Sequence, residues 1–174
     1  MTGSIAAYKA ADLVSRLTQL GHEVHVVMTR SATELVMPRT FSELSRMPVH
    51  TDLWDPAENR LTEHISLAEL PDIVVIAPAT ANTIGKAANG IADEILSTTL
   101  LAVTVPVLIA PAMNVHMYEH PIVQRNIGIL KDIGYRFVEP GEGYLACGDT
   151  GKGRMAQPAE IVKAIEAALA ESAK

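Results

Sequence analysis

Aliphatic positions in this chain alternate between two rhythms. After TGSIAAYK, the residues Ala10, Leu13, Val14, Leu17 and Leu20 keep a helical period, and Gly21 supplies a stop. HEVHVVMT (22–29) then reads as a strand. TFSELSRM (40–47) opens with the Thr40–Glu43 spacing of a capping box and ends before Pro48. DIVVIAPA (72–79) and VPVLIAPA (105–112) are near-continuous aliphatic runs, the mark of strands covered on both faces. Helices are expected around 82–89, 93–103 and 121–133, the last ending at Gly134. YRFVEP adds a short strand, and PAEIVKAIEAALAES (158–172) forms a closing amphipathic helix. Strands alternating with helices predict a parallel sheet with right-handed crossovers, hence an α/β, doubly wound, three-layer fold. No linker, repeat or low-complexity stretch interrupts it, so residues 1–174 are expected to form a single domain.

Composition sharpens this picture by exclusion. Apolar residues make up 48% of the 174, yet only 4% are aromatic, a balance suited to buried parallel strands and close helix packing. The net charge of −6 is spread along the chain, with no basic stripe interleaved with aromatics, so no nucleic-acid partner is expected. Cys147 is the only cysteine, which leaves no internal disulfide and no argument for secretion. Lys9, Asp12 and Arg16 break the first twenty residues as a signal-peptide core, and no apolar run approaches the ~20 residues of a membrane span. A cytoplasmic protein is expected.

Ligands in such sheets bind beyond the carboxyl ends of the strands. The non-periodic segments TGSIAA, TRSA, APATANT, APAMN and YLACGDTGKGRM fall at those ends. Gly3 and Ser4, opening a helix, suit an anion, and Thr29-Arg30-Ser31 follows its strand in the same way. Together they suggest one phosphate held between two loops. Two other patterns carry no site. HMYEH (116–120) has the inverted zincin spacing, but Pro121 disfavours helical backbone at His120, so no metal is expected. The Gly151-Lys152 pair lacks the Ser or Thr and the following helix of a phosphate-binding P-loop. Cys147 itself would ordinarily be a small apolar filler. Here it sits in a polar loop with Gly148, Gly151 and Gly153, which reads as a flap over a ligand.

The segments GSIAAYK, HISL (64–67), APATANTIGKAANGIAD (77–93), PAMNVHMY (111–118) and LACGDTGKGRM (145–155) resemble the flavin-dependent cysteine decarboxylases. Within that family the similarity is greatest to the branch acting on phosphopantothenoylcysteine in coenzyme A biosynthesis. It covers nearly the whole chain. The resemblance implies a Rossmann- or flavodoxin-like flavoprotein carrying FMN. The flavin phosphate would meet Gly3, Ser4 and Ile5, with Thr29 and Ser31 on the facing loop. The ring and ribityl chain would lie against Thr80, Ala81, Asn82, Thr83 and Ala112. Asn114 would hold the substrate carboxylate, with Met117, Ala146, Lys152, Arg154 and Met155 as further substrate-binding residues. His64 and Cys147 would be catalytic. Trimers, often grouped into dodecamers, are implied as well.

The implied reaction explains these residue types. A cysteinyl carboxylate departs as carbon dioxide only if the carbanion left behind has an electron sink. Oxidation of the thiol carbon to a thioaldehyde provides one, decarboxylation gives an aminoenethiol, and returned reducing equivalents plus a proton give 4'-phosphopantetheine. A cysteine thiol, with its pKa near 8.5, is protonated at neutral pH and suits the role of acid. Two other readings stand beside this one. One is a decarboxylase of peptide C-terminal cysteines, against which the Cys147 flap argues; the other is a non-catalytic flavin-fold regulatory subunit. One feature departs from the family: the strand expected before TGSIAAYK is missing from the numbered chain, which would leave two unpaired sheet edges. The ligase half fused to many bacterial relatives is also expected to be absent, leaving a ligase as a fused domain or docking partner elsewhere.

Overall fold

The structure is a computed structural model that describes residues 1–54, 63–144, 148 and 150–172. Helix α1 (Ala7–Gln19) leads into β1 (Val26–Val27), the single turn α2 (Arg30–Thr33), α3 (Pro38–Ser45) and β2 (Val49–His50). Then come α4 (Glu63–Glu69), β3 (Val74–Ala79), α5 (Ala81–Ala88), α6 (Ile95–Ala102) and β4 (Val107–Pro111). The remainder is α7 (Val115–Glu119), α8 (Pro121–Asp132), β5 (Arg136–Phe137), the strands β6 (Gly141–Tyr144) and β7 (Thr150–Arg154), and α9 (Pro158–Ser172).

The two aliphatic runs form the centre, as their composition dictates. β3 and β4 pair in parallel, Val74 to Val107 through Ile76 to Ile109, and β5 joins β4 in the same sense. Every residue of β4 is buried. One face of this sheet is covered by α1 and α9 through Leu13, Leu17, Ile161 and Ile165, packed against Leu108 and Ala110. On the other face Ile84, Leu100, Ile127 and Leu130 pack against Ile76 and Ile109. That is the three-layer α/β arrangement expected from the alternation.

Three local expectations change. Helix α3 begins at Pro38, with extended Met37 as its cap and no side-chain cap bond, because proline's fixed φ already suits a first helical turn. Thr40 and Glu43 therefore lie inside the helix. HISL lies in a helix that the pattern did not predict: His64 stands in α4, whose Leu67 and Ala68 are buried. The segment 141–154 is an antiparallel hairpin, Gly143 opposite Gly151 and Tyr144 opposite Thr150.

The parallel sheet is in two pieces, β1–β2 and β3–β4–β5. Between their facing edges runs a slot of about 460 Å³ lined by Val24–Val27 on one side and Ile73–Ala77 on the other. Met1 and Thr2 span its carboxyl end. The Met1 amine donates to the Val27 carbonyl at 2.6 Å, and the Thr29 N–H donates to the Met1 carbonyl at 3.1 Å. Thr2 Oγ1 donates to the Pro78 carbonyl (2.7 Å) and accepts from the Thr80 N–H (3.0 Å). These bonds hold the two pieces in register at the end where the long loops project.

Candidate active site

A cavity of about 730 Å³ opens at the carboxyl ends of the strands, within the size range of sites for small ligands and cofactors. Its first wall is the turn before α1, where Gly3, Ser4 and Ile5 face Thr29 and Ser31 from the start of α2. The two loops touch so closely that a Cβ on Gly3 would stand 2.5 Å from Ser31 Cβ. Only glycine permits that approach. The next wall is the start of α5, where Thr80 is the N-cap: its hydroxyl accepts from the Thr83 N–H at 3.4 Å and lies 3.2 Å from the Thr83 hydroxyl. Thr80, Ala81, Asn82 and Thr83 all line the cavity, and buried Ala112 at the end of β4 lines it too.

The remaining wall is built from the Met113–Val115 turn and the hairpin. Asn114 caps α7, its side-chain oxygen accepting from the His116 N–H at 2.7 Å, which fixes the plane of the amide at the cavity rim. Half-exposed Met117 stands one turn further. Strand β7 lies against this turn, the Met113 N–H donating to the Gly153 carbonyl at 3.0 Å. A Cβ on Gly153 would run into the Met113 carbonyl, and one on Gly151 would meet Val115 Cγ2 at 2.7 Å. Arg154 and buried Met155 complete the wall. Lys152 does not line the cavity; its ammonium sits on Glu139 at 2.7 Å. His64, on α4, is not on the cavity wall either. Ala146 and Cys147 lie outside the described residues. The backbone of His120 is extended (φ −61°, ψ 129°), so the two histidines of HMYEH do not share a helix.

The family model for flavoproteins matches residues 1–170. The chain belongs to the flavoprotein family. It is 56% identical over 171 residues to the coenzyme A biosynthesis bifunctional protein CoaBC of Bacillus subtilis (strain 168), covering 98% of this chain and 42% of that protein. It is 44% identical over 171 residues to a probable phosphopantothenoylcysteine decarboxylase of Streptococcus mutans, covering 97% of this chain and 96% of that one. Among solved structures, the FMN-dependent cysteine decarboxylase SpaF superposes with a TM-score of 0.86 at 36% identity, over 99% of this chain and 94% of its own. This flavoprotein thus spans less than half of the bifunctional relative and nearly all of the shorter one.

Several cavity residues escaped the reading of the sequence. Lys9 of α1 is buried and donates from Nζ to the Met155 carbonyl at 2.8 Å. Burial and the Arg154 charge pull its pKa below the usual lysine value, against a smaller opposing pull from Glu160. It pins the outgoing end of β7 to α1 while adding positive charge to the wall. Lys86 of α5 pairs with Asp93 at 2.6 Å, and that hydrogen bond holds the Asp93 carboxyl below its ordinary range. Glu94 caps α6 in a reciprocal box with Ser97. Lys9, Lys86 and Asp93 stand on motifs that were noticed, but a lysine at a helical position gives no sign of which way it will point. No helix among the described residues is long and apolar enough to cross a membrane.

Proposed function

We propose that this flavoprotein is an FMN-dependent decarboxylase that converts N-(4'-phosphopantothenoyl)-L-cysteine to 4'-phosphopantetheine in coenzyme A biosynthesis. The observation that carries the reading is the meeting of four elements in one cavity: the Gly3–Ser31 loop pair, the Thr80 cap, the Asn114 turn and the hairpin stem. The near end-to-end similarity to the Streptococcus mutans protein supports the substrate, and the likeness to SpaF supports FMN.

The residues fit that cofactor. Two loops in glycine-enforced contact suit a single terminal phosphate, which FMN carries, and Thr80–Thr83 with Ala112 offer hydroxyls, an amide and small side chains for the ribityl chain and ring. FMN, when bound, supplies the acceptor that oxidises the thiol carbon and later returns the electrons as a hydride. The protein's part is to orient and to move protons. Asn114 donates from its amide to the substrate carboxylate without a full positive charge, which would stabilise the ground-state anion too strongly. Arg154 meets the substrate phosphate, and Met117 and Met155 shape the apolar wall. His64, off the cavity wall of the single chain, serves as the active-site histidine from a neighbouring copy in the trimer, and Cys147 supplies the last proton. Assembly as a cytoplasmic trimer, or as a dodecamer built from trimers, belongs to the same reading, with a ligase domain or partner supplying the substrate.

Incubation of the FMN-loaded protein with phosphopantothenoylcysteine tests the proposal, with carbon dioxide and 4'-phosphopantetheine as the expected products. A peptide ending in cysteine is the comparison substrate. Preference for the peptide would move the activity to that branch, and turnover of neither would leave a binding subunit.

A further inference from the structure

One carboxylate outside the cavity gathers donors from three separate elements. Glu139 follows β5, at the root of the hairpin. It accepts from Lys152 of β7 at 2.7 Å, from the Tyr118 hydroxyl of α7 at 3.2 Å and from Lys131 of α8 at 3.4 Å. The Lys152 ammonium also lies over the Tyr118 ring, 5.6 Å from its centre. The face of β7 turned to the Met113–Val115 turn has no side chains with which to grip, because Gly151 and Gly153 let backbone lie directly on that turn. Successive residues of a strand point to opposite faces, so Lys152 is the one side chain between those glycines, and it reaches outward to Glu139. Moving β7 would also drag the Asn114 turn, through the Met113–Gly153 bond.

We infer that Glu139 is a positioning residue for the flap: through Lys152 it clamps β7 onto the Met113–Val115 turn, setting where Asn114 and Arg154 face the substrate. The electrostatics agree with a working clamp. The Lys152 hydrogen bond draws the Glu139 carboxyl below its ordinary range, and the Glu139 bond pushes the Lys152 ammonium above its own. Both side chains are half exposed, so the pair adds little to global stability. Its leverage is on a local equilibrium, that between a seated and a lifted stem, where small differences alter occupancy.

The role in substrate binding rests on the decarboxylase reading, whereas the clamp itself does not, and the experiment separates the two. Glu139→Gln, Lys152→Met and the double variant would be prepared with FMN bound. Amide hydrogen exchange, without substrate, would be followed at Met113, the donor to Gly153. Exchange there should accelerate about fivefold in each single variant and no further in the double, the size of an exposed charge network. With phosphopantothenoylcysteine, KM should rise by about the same factor with kcat near the parent value, as for interactions made equally in ground and transition states. High salt should mimic the variants in the parent protein and leave Glu139→Gln unmoved. If Met113 exchange in Glu139→Gln equals the parent's, there is no clamp. If exchange accelerates but KM stays put, or only kcat falls, the clamp does not position the site. Should the protein turn over no substrate at all, the decarboxylase reading fails and the exchange result alone decides for or against the clamp.

Discussion

Asn114 caps α7 with its amide oxygen and is proposed to hold the substrate carboxylate with its amide N–H, and a single substitution separates the two roles. Its side-chain oxygen caps α7, a role aspartate fills equally well. Asn114→Asp therefore keeps the turn and loses the amide donor, setting a negative charge against the substrate carboxylate. At ~4 Å and an effective dielectric near ~20 that repulsion is about 4 kcal/mol, roughly a thousandfold in rate. Turnover should collapse while the flavin absorbance and the melting temperature stay at parent values; near-parent turnover would remove Asn114 from the carboxylate. Cys147 divides the reaction differently. On the proposed reaction, oxidation and decarboxylation need no flap thiol, whereas the closing step would take its proton from Cys147. Cys147→Ser substitutes a much weaker acid, so ~10²–10⁴-fold of general acid catalysis should vanish from that step alone. Rapid mixing should show carbon dioxide released and flavin reduced in one turnover, then an enethiol that accumulates. Saturated product at the parent rate would make the cysteine mere packing.

At the scale of elements, glycine decides how closely the walls approach. Gly3→Ala places a methyl 2.5 Å from Ser31 Cβ, forcing apart the loops assigned to the phosphate. Flavin retention through gel filtration should fall more than ~tenfold in affinity, the scale of a steric insertion into packed structure. Gly128→Ala is the matched control: nothing lies within 4 Å of its added methyl in α8. It should keep its flavin and gain about 0.5–1 kcal/mol of stability from helix propensity. Loss of flavin in both variants would mean that the contact at Ser31 is not the cause. The same glycines explain what the sequence concealed. β3 and β4 were legible because unbroken aliphatics have one use in an α/β fold. The strands β6 and β7, GEGY and TGKGR, were not, since glycine is depleted in strands. Their glycines answer to the Met113–Val115 turn, a tertiary demand invisible to periodicity. α4 stayed hidden for a related reason, its seven residues being too short to show a helical period. The loops that line the cavity were readable from position alone, at the carboxyl ends of the strands, yet Lys9 and Glu139 came only with the packing.

For the whole molecule, the two sheet pieces depend on a junction through Thr2, which is buried. Its Oγ1 donates to the Pro78 carbonyl at 2.7 Å and accepts from the Thr80 N–H at 3.0 Å, while the preceding carbonyl, that of Met1, accepts from the Thr29 N–H. One hydroxyl thus ties the segment beside β1 to the end of β3 and the start of α5. Thr2→Val keeps the shape and removes both bonds, leaving the Pro78 carbonyl and the Thr80 N–H without that partner. Such a loss costs about 1–3 kcal/mol, and each kcal/mol moves the melting temperature by about 2–4 °C in a chain of this size. Thr2→Ser keeps the hydroxyl and sheds one methyl, a cost of about 1 kcal/mol. Melting curves should therefore place the valine variant well below the parent and the serine variant close to it. Equal melting temperatures for the valine variant and the parent would show that the junction between the sheet pieces does not rest on the Thr2 hydroxyl.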